Sequence, residues 1–224
     1  MQNSLIEIEH LTKKWGYRKI LDDLSFQAKA GEVIVIMGEN GAGKTTFFRI
    51  LASLNSYSFG SIKIMDYSMP NEMQKVKSQI GFLFHETMLY NDLTVYENLW
   101  MFGKLYNIKV LKSRIEELIS MLGLELYIYE AAKVLSKGLL QRLAFCRLLL
   151  HQPQIMIMDE PFSGLDIESR KIIQKLLLLA KAEGKVSILA THDFHNVASL
   201  GTRFDVLHKG KLTTGNPNNL NMFS

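Results

Sequence analysis

GENGAGKT, residues 38–45, follows directly on VIVIM, residues 33–37, a β-branched run typical of a buried parallel strand. The eight residues fit the phosphate-loop pattern G-x-x-x-x-G-K-[ST]. Glycines let the backbone wrap around a phosphate, and the inward N–H groups and the helix expected from Lys44 favour an anion there. This strand, loop and helix predict an α/β fold of the P-loop NTPase type.

The same loop predicts how a nucleotide is held. Lys44 is expected to reach the β- and γ-phosphates, and the Thr45 hydroxyl is expected to coordinate Mg²⁺. We therefore expect ATP and Mg²⁺ as ligands. The residues predicted to surround the nucleotide in this segment are Gly38, Glu39, Asn40, Gly41, Ala42, Gly43, Lys44, Thr45 and Thr46.

Two carboxylates follow a second apolar run, IMIM, at residues 155–158. A carboxylate at the end of a buried strand is costly unless it meets a cation, so Asp159 is predicted to hold Mg²⁺ through its hydration shell. Glu160 is the next residue and is predicted to orient and polarise an attacking water. The pair therefore predicts hydrolysis of the bound nucleotide.

Composition argues against several classes of protein. The 224 residues carry a formal charge of +4 without a run of five basic residues, so nucleic-acid binding is not expected. No stretch of about 18 apolar residues occurs, so we expect no membrane-spanning helix. The start, MQNSLIEIEH, lacks a secretory pattern, and the single Cys146 forms no internal disulfide. These features predict a cytoplasmic protein with a buried Cys146.

The middle of the chain has a different apolar pattern from its two ends. Leu5–Leu11 alternates apolar and polar residues and predicts a half-buried strand. From Thr94 to Leu122 the apolar residues instead recur at helical spacing, in two helices with no strand between them. Such a pair of helices predicts a helical subdomain inserted into an α/β core.

LSKGLLQR, residues 135–142, resembles the LSGGQ signature of ATP-binding-cassette (ABC) ATPases. Two further motifs of that family follow in order: residues 163–166 of DEPFSGLD match the D-loop, and ATHD contains the switch histidine, His192. Trp15, in KKWGYRK, falls where the family stacks adenine, with Tyr17 as the fallback. The resemblance covers Leu5 to Gly215 and excludes kinases and GTPases, which share only the phosphate loop.

The resemblance implies one ABC ATPase domain over residues 1–224. Its expected parts are a nucleotide-binding α/β core with an N-terminal antiparallel β subdomain, formed by residues 1–85 and 154–224, and an inserted α-helical signature subdomain, formed by residues 86–153.

A mechanism also follows from the resemblance. Two cassettes of the family dimerise head to tail, as two copies or as a pair of different chains, and each ATP lies between the phosphate loop of one and the signature of the other. Ser136 and Gly138 are then expected to contact the γ-phosphate across the interface, with the D-loop residue Asp166 nearby. Glu160 is expected to act as general base, and His192 to hold the γ-phosphate and the attacking water.

Two residues depart from the family signature. Lys137 replaces a glycine, and either a charge contact or a solvated side chain is consistent with it. Leu139 replaces a glutamine and cannot hydrogen-bond the ribose, so weaker nucleotide binding is a hypothesis.

Three classes of ABC protein were compared with this pattern. A chromosome-maintenance ATPase has long coiled coils between the segments that contain Gly43 and Leu135, and a translation factor has two cassettes per chain. Neither fits, so we expect a transporter subunit that works with integral membrane permease subunits and touches the inner face of the membrane only through them. Residues 87–106, TMLYNDLTVYENLWMFGKLY, are expected to form the groove for a coupling helix of the permease, with ordinary subdomain core as the alternative.

His85 gives the clue to the transported substrate. It follows the run IGFLF directly, and most ABC subunits have glutamine at the position of His85. We expect His85 to sense Mg²⁺ and ATP. Histidine here, followed by ETMLYNDLTVYENL, resembles the CcmA-type subunit of the haem exporter used in cytochrome c maturation. Export of a drug, a lipid or a polysaccharide is the alternative.

Overall fold

Runs of consecutive strands lie near both ends of the described chain, and three successive α-helices lie in its middle. The structure is a computed structural model and describes residues 4–84, 86–191 and 197–215. The strands within these ranges are β1 (Ser4–Trp15), β2 (Arg18–Lys29), β3 (Val33–Met37), β4 (Phe59–Ile64), β5 (Tyr67–Met69), β6 (Ile80–Leu83), β7 (Ile155–Asp159), β8 (Val186–Ala190), β9 (Arg203–His208) and β10 (Lys211–Gly215). The helices are α1 (Lys44–Leu51), α2 (Met73–Gln79), α3 (Val95–Leu105), α4 (Leu111–Met121), α5 (Lys137–Leu149) and α6 (Ile167–Ala182), with short 3₁₀ turns at Glu125–Tyr127 and Ala132–Val134.

The strands form two sheets. β2, β1, β4 and β5 lie in that order in an antiparallel sheet. The second sheet has the order β10-β9-β3-β8-β7-β6, and its neighbours are parallel except for β9 and β10. Since β3 and β7 are parallel strands separated only by β8, the loops that follow them lie at the same edge of the sheet.

Both faces of the six-stranded sheet are covered by apolar residues. Ile34 and Ile36 of β3 point into one cluster, which they share with α1 and the antiparallel sheet. Val33 and Val35 alternate with them and point into the other cluster, which contains the apolar faces of α3, α4, α5 and α6. Burial on both faces explains why this strand is an unbroken apolar run.

The inserted helices lie where the apolar pattern predicts them. α3, α4 and α5 fall within residues 86–153, and the strands of both described sheets come from outside that range. Cys146 is fully buried in α5, as predicted, and burial raises the pKa of its thiol. Among the described residues, no helix is both long and apolar enough to cross a membrane.

The elements differ from their predicted bounds at several ends. The helix predicted to begin at Lys44 ends at Leu51, and β1 continues beyond Leu11 because Trp15 still pairs with Arg18 of β2. α2 was not predicted. Val76 is its only buried residue, so its sequence carries no apolar stripe for a periodicity argument to find.

Candidate nucleotide-binding site

The phosphate loop connects β3 to α1. Gly43 is the residue before α1 and has a φ of +110°, in the region that favours glycine. A β-carbon at this position would approach the carbonyl oxygen of Ile20 and a methyl of Leu21 to 3.0 Å. Backbone conformation and space therefore both require glycine at this step of the motif.

Lys44 folds back over this loop. Its side chain is 9% exposed, and its ammonium donates to the carbonyl oxygens of Gly38 and Glu39. Burial lowers the pKa of Lys44, and the negative charges of Asp159 and Glu160 oppose this shift. A lysine ammonium has three N–H donors, so this group can hold the loop and also donate to a phosphate oxygen.

Thr45, in the first turn of α1, and Asp159, at the end of β7, come together. The Thr45 hydroxyl donates to an Asp159 carboxylate oxygen at 2.8 Å, across 114 positions of sequence. Hydroxyl and carboxylate oxygens are the hard ligands that Mg²⁺ prefers, usually together with water and phosphate oxygens. These two side chains therefore fit the predicted metal site.

Glu160 has an unusual backbone conformation for a glutamate. Its φ is +52°, its backbone N–H donates to the carbonyl oxygen of Ala190 at 2.8 Å, and its carboxylate accepts from the Thr191 hydroxyl at 3.1 Å. Left-handed non-glycine residues are enriched at functional sites. The carboxylate is thus held at the edge where the sheet meets the phosphate loop.

A cleft of about 510 Å³ brings these groups together. Trp15, which is 68% exposed, lies in its wall, whereas the fallback Tyr17 does not. Gly38 contributes its carbonyl to Lys44, and Ala42 lines a neighbouring depression. The cleft is lined by Trp15, Arg18, Ile20, Glu39, Asn40, Gly41, Gly43, Lys44, Thr45, Thr46, Asp159 and Glu160.

Arg18 and Ile20 were missed by the sequence analysis. Arg18 stands three residues after Trp15, on the strand that pairs with it, so the hairpin of β1 and β2 places both side chains at the cleft. The sequence did contain a signal for Arg18, because this cation lies close to the aromatic Trp15 and before the phosphate loop. Arg18 gives the cleft a second positive charge in addition to Lys44.

The predicted signature residues lie elsewhere. Ser136 caps α5, where its hydroxyl accepts from the backbone N–H of Leu139 at 3.3 Å. Gly138 is buried, and a β-carbon on it would lie 2.8 Å from an Asp166 carboxylate oxygen and 3.1 Å from the Ser169 hydroxyl. The side chain of Leu139 packs against the apolar cluster of the helices. Among the described residues, the nucleotide cleft has no lining residue from this signature.

Arg142 connects the signature helix to the D-loop. The sequence placed it in the signature motif but did not predict this contact. This buried guanidinium donates to the Ser169 hydroxyl at 2.8 Å and lies 3.9 Å from Asp166. Asp166 caps α6 by accepting from the backbone N–H of Ser169 at 2.6 Å, which lowers the pKa of its carboxyl group. The signature and the D-loop of one chain therefore form one connected surface.

Two predicted residues, His85 and His192, lie outside the described residues, and their roles stay predictions. The structure immediately before each of them is described. Arg147 is almost fully buried and donates to the carbonyl oxygen of Phe82 at 2.8 Å, in the strand that leads to His85. Thr191, which precedes His192, contacts Glu160.

Asn98 organises the loop that follows His85. It is fully buried in α3, and its amide donates to the carbonyl oxygens of Tyr90, Leu93 and Thr94 while accepting from the backbone N–H of Tyr90. A buried amide with both ends used in this way fixes the turn of residues 90–94. The sequence offered no local sign of this role.

Residues 87–106 divide between core and surface. Val95 and Leu99 are buried in the helical cluster, as the alternative interpretation expected. Tyr96 and Trp100 stack with their ring centroids 5.8 Å apart, and the side chains of Trp100 and Tyr90 are exposed. One side of α3 is thus core, and the other presents aromatic surface.

Comparison with known proteins identifies the family. The family model described as "ABC transporter" matches residues 21–163. The ABC transporter ATP-binding protein NatA of Bacillus subtilis is 38% identical over 197 residues, which cover 87% of this chain and 80% of that protein. Nod factor export ATP-binding protein I of Bradyrhizobium diazoefficiens is 32% identical over 223 residues, covering 98% of this chain and 73% of that protein.

A solved structure agrees with these relatives. The ATP-binding cassette MJ0796, described as a dimer in a post-hydrolysis state bound to ADP and Pi, has a TM-score of 0.85 and 28% identity, covering 94% of this chain and 97% of that chain. The predicted fold class and the predicted ATPase activity are thereby confirmed. The chain belongs to the ABC transporter family and is an ATP-binding subunit of such a transporter.

Proposed function

We propose that two cassettes close head to tail around two ATP molecules, and that hydrolysis reopens them to drive a membrane permease. The strongest support is that the cleft of one chain contains only some of the residues that the complete site needs. Lys44, Thr45, Asp159 and Glu160 share one cleft, whereas Ser136 lies outside the lining of that cleft in the described structure. A second cassette that supplies its signature would complete the γ-phosphate site.

Each group in the cleft has a distinct part in this proposal. The face of Trp15 stacks the adenine, and Lys44 neutralises the β- and γ-phosphates. Thr45 and Asp159 hold Mg²⁺, which supplies charge neutralisation between the phosphates when it is bound. His85 senses the metal and nucleotide, and His192 positions the γ-phosphate.

Glu160 takes the proton from the attacking water. Its carboxylate is oriented by Thr191 and by the backbone hydrogen bond to Ala190, at the same edge of the sheet as Lys44. Water attacks the γ-phosphorus, the bond to the β-phosphate oxygen breaks, and ADP and phosphate leave. Without the γ-phosphate, the contact between the two cassettes is lost and the dimer opens.

The Glu160→Gln variant tests this assignment. It keeps the size and polarity of the side chain but removes the base, so turnover should fall by about a hundredfold or more. ATP binding should persist, and gel filtration with ATP should show a stable dimer. Glu183→Gln, an exposed glutamate at the end of α6, is the matched control and should keep the parent's turnover. Unaltered turnover in Glu160→Gln would exclude this residue as the base.

The aromatic surface of α3 supports contact with a permease. Tyr90 and Trp100 are exposed, and Tyr90 follows the predicted nucleotide sensor His85 by five residues in the sequence, so a permease segment docked there would contact the chain a short way after that sensor. The cassette would then sit at the inner face of the membrane without entering it. We assign the two functions to different parts of the chain. Residues 1–85 and 154–224 form the core that binds the nucleotide, and residues 86–153 form the helical part that contacts the permease.

Two substrate classes remain as candidates. His85 and the segment after it favour haem export for cytochrome c maturation. A relative named for Nod factor export, 32% identical over nearly the whole chain, favours the alternative, which is export of a drug, a lipid or a polysaccharide. Vesicles containing the cassette with its own permease separate the two, since haem should stimulate ATP hydrolysis only in the first case.

A further inference from the structure

Lys137 stands where the family signature has glycine, and its side chain lies along the D-loop of its own chain. A β-carbon built on Gly164 would lie 2.5 Å from Lys137 Nζ, 2.6 Å from Cε and 2.7 Å from Cδ. Gly164 also has a φ of +67°, which a side chain would strain. The side chain of Lys137 therefore lies against the backbone of Gly164, in space that a larger residue would fill.

Neighbouring contacts hold the start of α5 against the D-loop. Gln141 donates to the carbonyl oxygen of Pro161 at 3.2 Å, and Arg142 donates to the Ser169 hydroxyl at 2.8 Å. Together with the close approach of Gly138 to Asp166, these contacts join the first two turns of α5 to residues 161–169. These contacts hold the start of α5, and with it the backbone of Lys137, against the D-loop.

The charge of Lys137 is not neutralised within the described part of the chain. No ion pair of Lys137 is found there, and Asp166 is occupied by Ser169 and by Arg142. The first turn of α5 contains no acidic residue, so the positive end of the helix dipole adds to the same potential. This exposed surface therefore favours an anion.

We propose that Lys137 binds the γ-phosphate of the ATP held in the cleft of the partner cassette. The inference rests on the proposed head-to-tail dimer, in which Ser136 and Gly138, on either side of Lys137, face that phosphate. ADP lacks the γ-phosphate, so the lysine adds to the preference of the dimer for ATP over ADP. The glycine of the usual signature has no side chain to make this contact.

Substitution of Lys137 in the slowly hydrolysing Glu160→Gln chain provides the test. Lys137→Met keeps the length of the stem without the charge, and Lys137→Arg keeps the charge. The measurement is the ATP concentration that gives half-maximal dimer in sedimentation experiments. Lys137→Met should raise it by about tenfold, the value of one charged hydrogen bond, and Lys137→Arg should stay close to the parent. The difference should shrink at high salt.

Affinity of the single chain for ADP serves as the folding control and should be the same in all three proteins. If Lys137→Met dimerises at the parent's ATP concentration, the inference is overturned while the proposed dimer stands. If the Glu160→Gln chain with Lys137 intact forms no ATP-dependent dimer, the proposed function itself fails and the inference fails with it.

Discussion

The nucleotide cleft and the signature segment contain similar chemistry but differ in how much of a site one chain provides. In the cleft, Lys44 and Thr45 of one loop meet Asp159 and Glu160 of another, and the four groups face a common volume. In the signature, Ser136 and Lys137 lie at an exposed helix start, where Ser136 caps its own helix and the side chain of Lys137 lies along the D-loop.

This difference shows how a single fold can hold two half-sites. Parallel strands bring the cleft residues to one edge of the sheet, so every chain carries a complete phosphate-binding wall. The signature is placed by α5, which the helical insertion contributes, and it presents its polar start to the outside. Hydrolysis is therefore expected to depend on assembly, while nucleotide binding is expected to depend on one chain.

Lys44→Met should produce the largest change in the comparison. It removes a buried ammonium that donates to two loop carbonyls and is expected to meet the phosphates, so the affinity of a single chain for ATP should fall by about a hundredfold. Calorimetric titration measures this directly. Lys112→Met, at an exposed lysine of α4, is the control. Retained affinity in Lys44→Met would mean that the loop does not hold the phosphates.

Asn98→Ala should affect folding rather than nucleotide binding. The substitution removes the acceptor of the Tyr90 N–H and one of the two donors to each carbonyl oxygen of Tyr90, Leu93 and Thr94, so the free energy of unfolding should fall by about 1–3 kcal/mol. Denaturant unfolding measures the loss, and the exposed Asn91→Ala is the matched control. A loss of ATP affinity in the folded Asn98→Ala chain would show that the helical insertion and the cleft are less separate than described.

His151 should give the smallest effect, seen only as pH falls. Its ring stacks on Tyr106 with centroids 4.2 Å apart, and Nε2 lies 3.0 Å from the carbonyl oxygen of Ile80. Burial lowers the pKa of His151 below its usual value near 6.5, and the charges of Arg147 and Arg114 act in the same direction. The unfolded chain therefore takes up a proton first, so stability is lost as pH falls below about 6.5, by at most about 1.4 kcal/mol per pH unit.

The His151→Phe variant keeps a stacked ring but cannot titrate. Its unfolding midpoint should therefore fall less steeply than the parent's between pH 7 and pH 5, as measured by thermal unfolding. Parallel curves for the two proteins would show that this histidine does not contribute to the pH dependence. The other titratable groups are common to both proteins and cancel in the comparison.

Local patterns were sufficient for the strand, the phosphate loop and the carboxylates of Asp159 and Glu160, because each belongs to a motif with fixed spacing. They were not sufficient where contacts join distant segments. Asn98 looks like one polar residue in an amphipathic helix, and only the folded turn reveals the carbonyls that surround it. For Lys137 the sequence was consistent with either a charge contact or a solvated side chain. The contact of its side chain with Gly164 depends on how α5 packs against the D-loop.

A mixing experiment tests most directly whether the two half-sites work across chains. A Lys44→Met chain has a defective cleft and an intact signature, whereas a Ser136→Glu chain has an intact cleft and a signature that repels the γ-phosphate. Each alone should hydrolyse ATP very slowly. The mixture should hydrolyse it clearly faster than the sum of the two, because mixed dimers contain one site built from both intact halves. A mixture no faster than that sum would contradict the shared site.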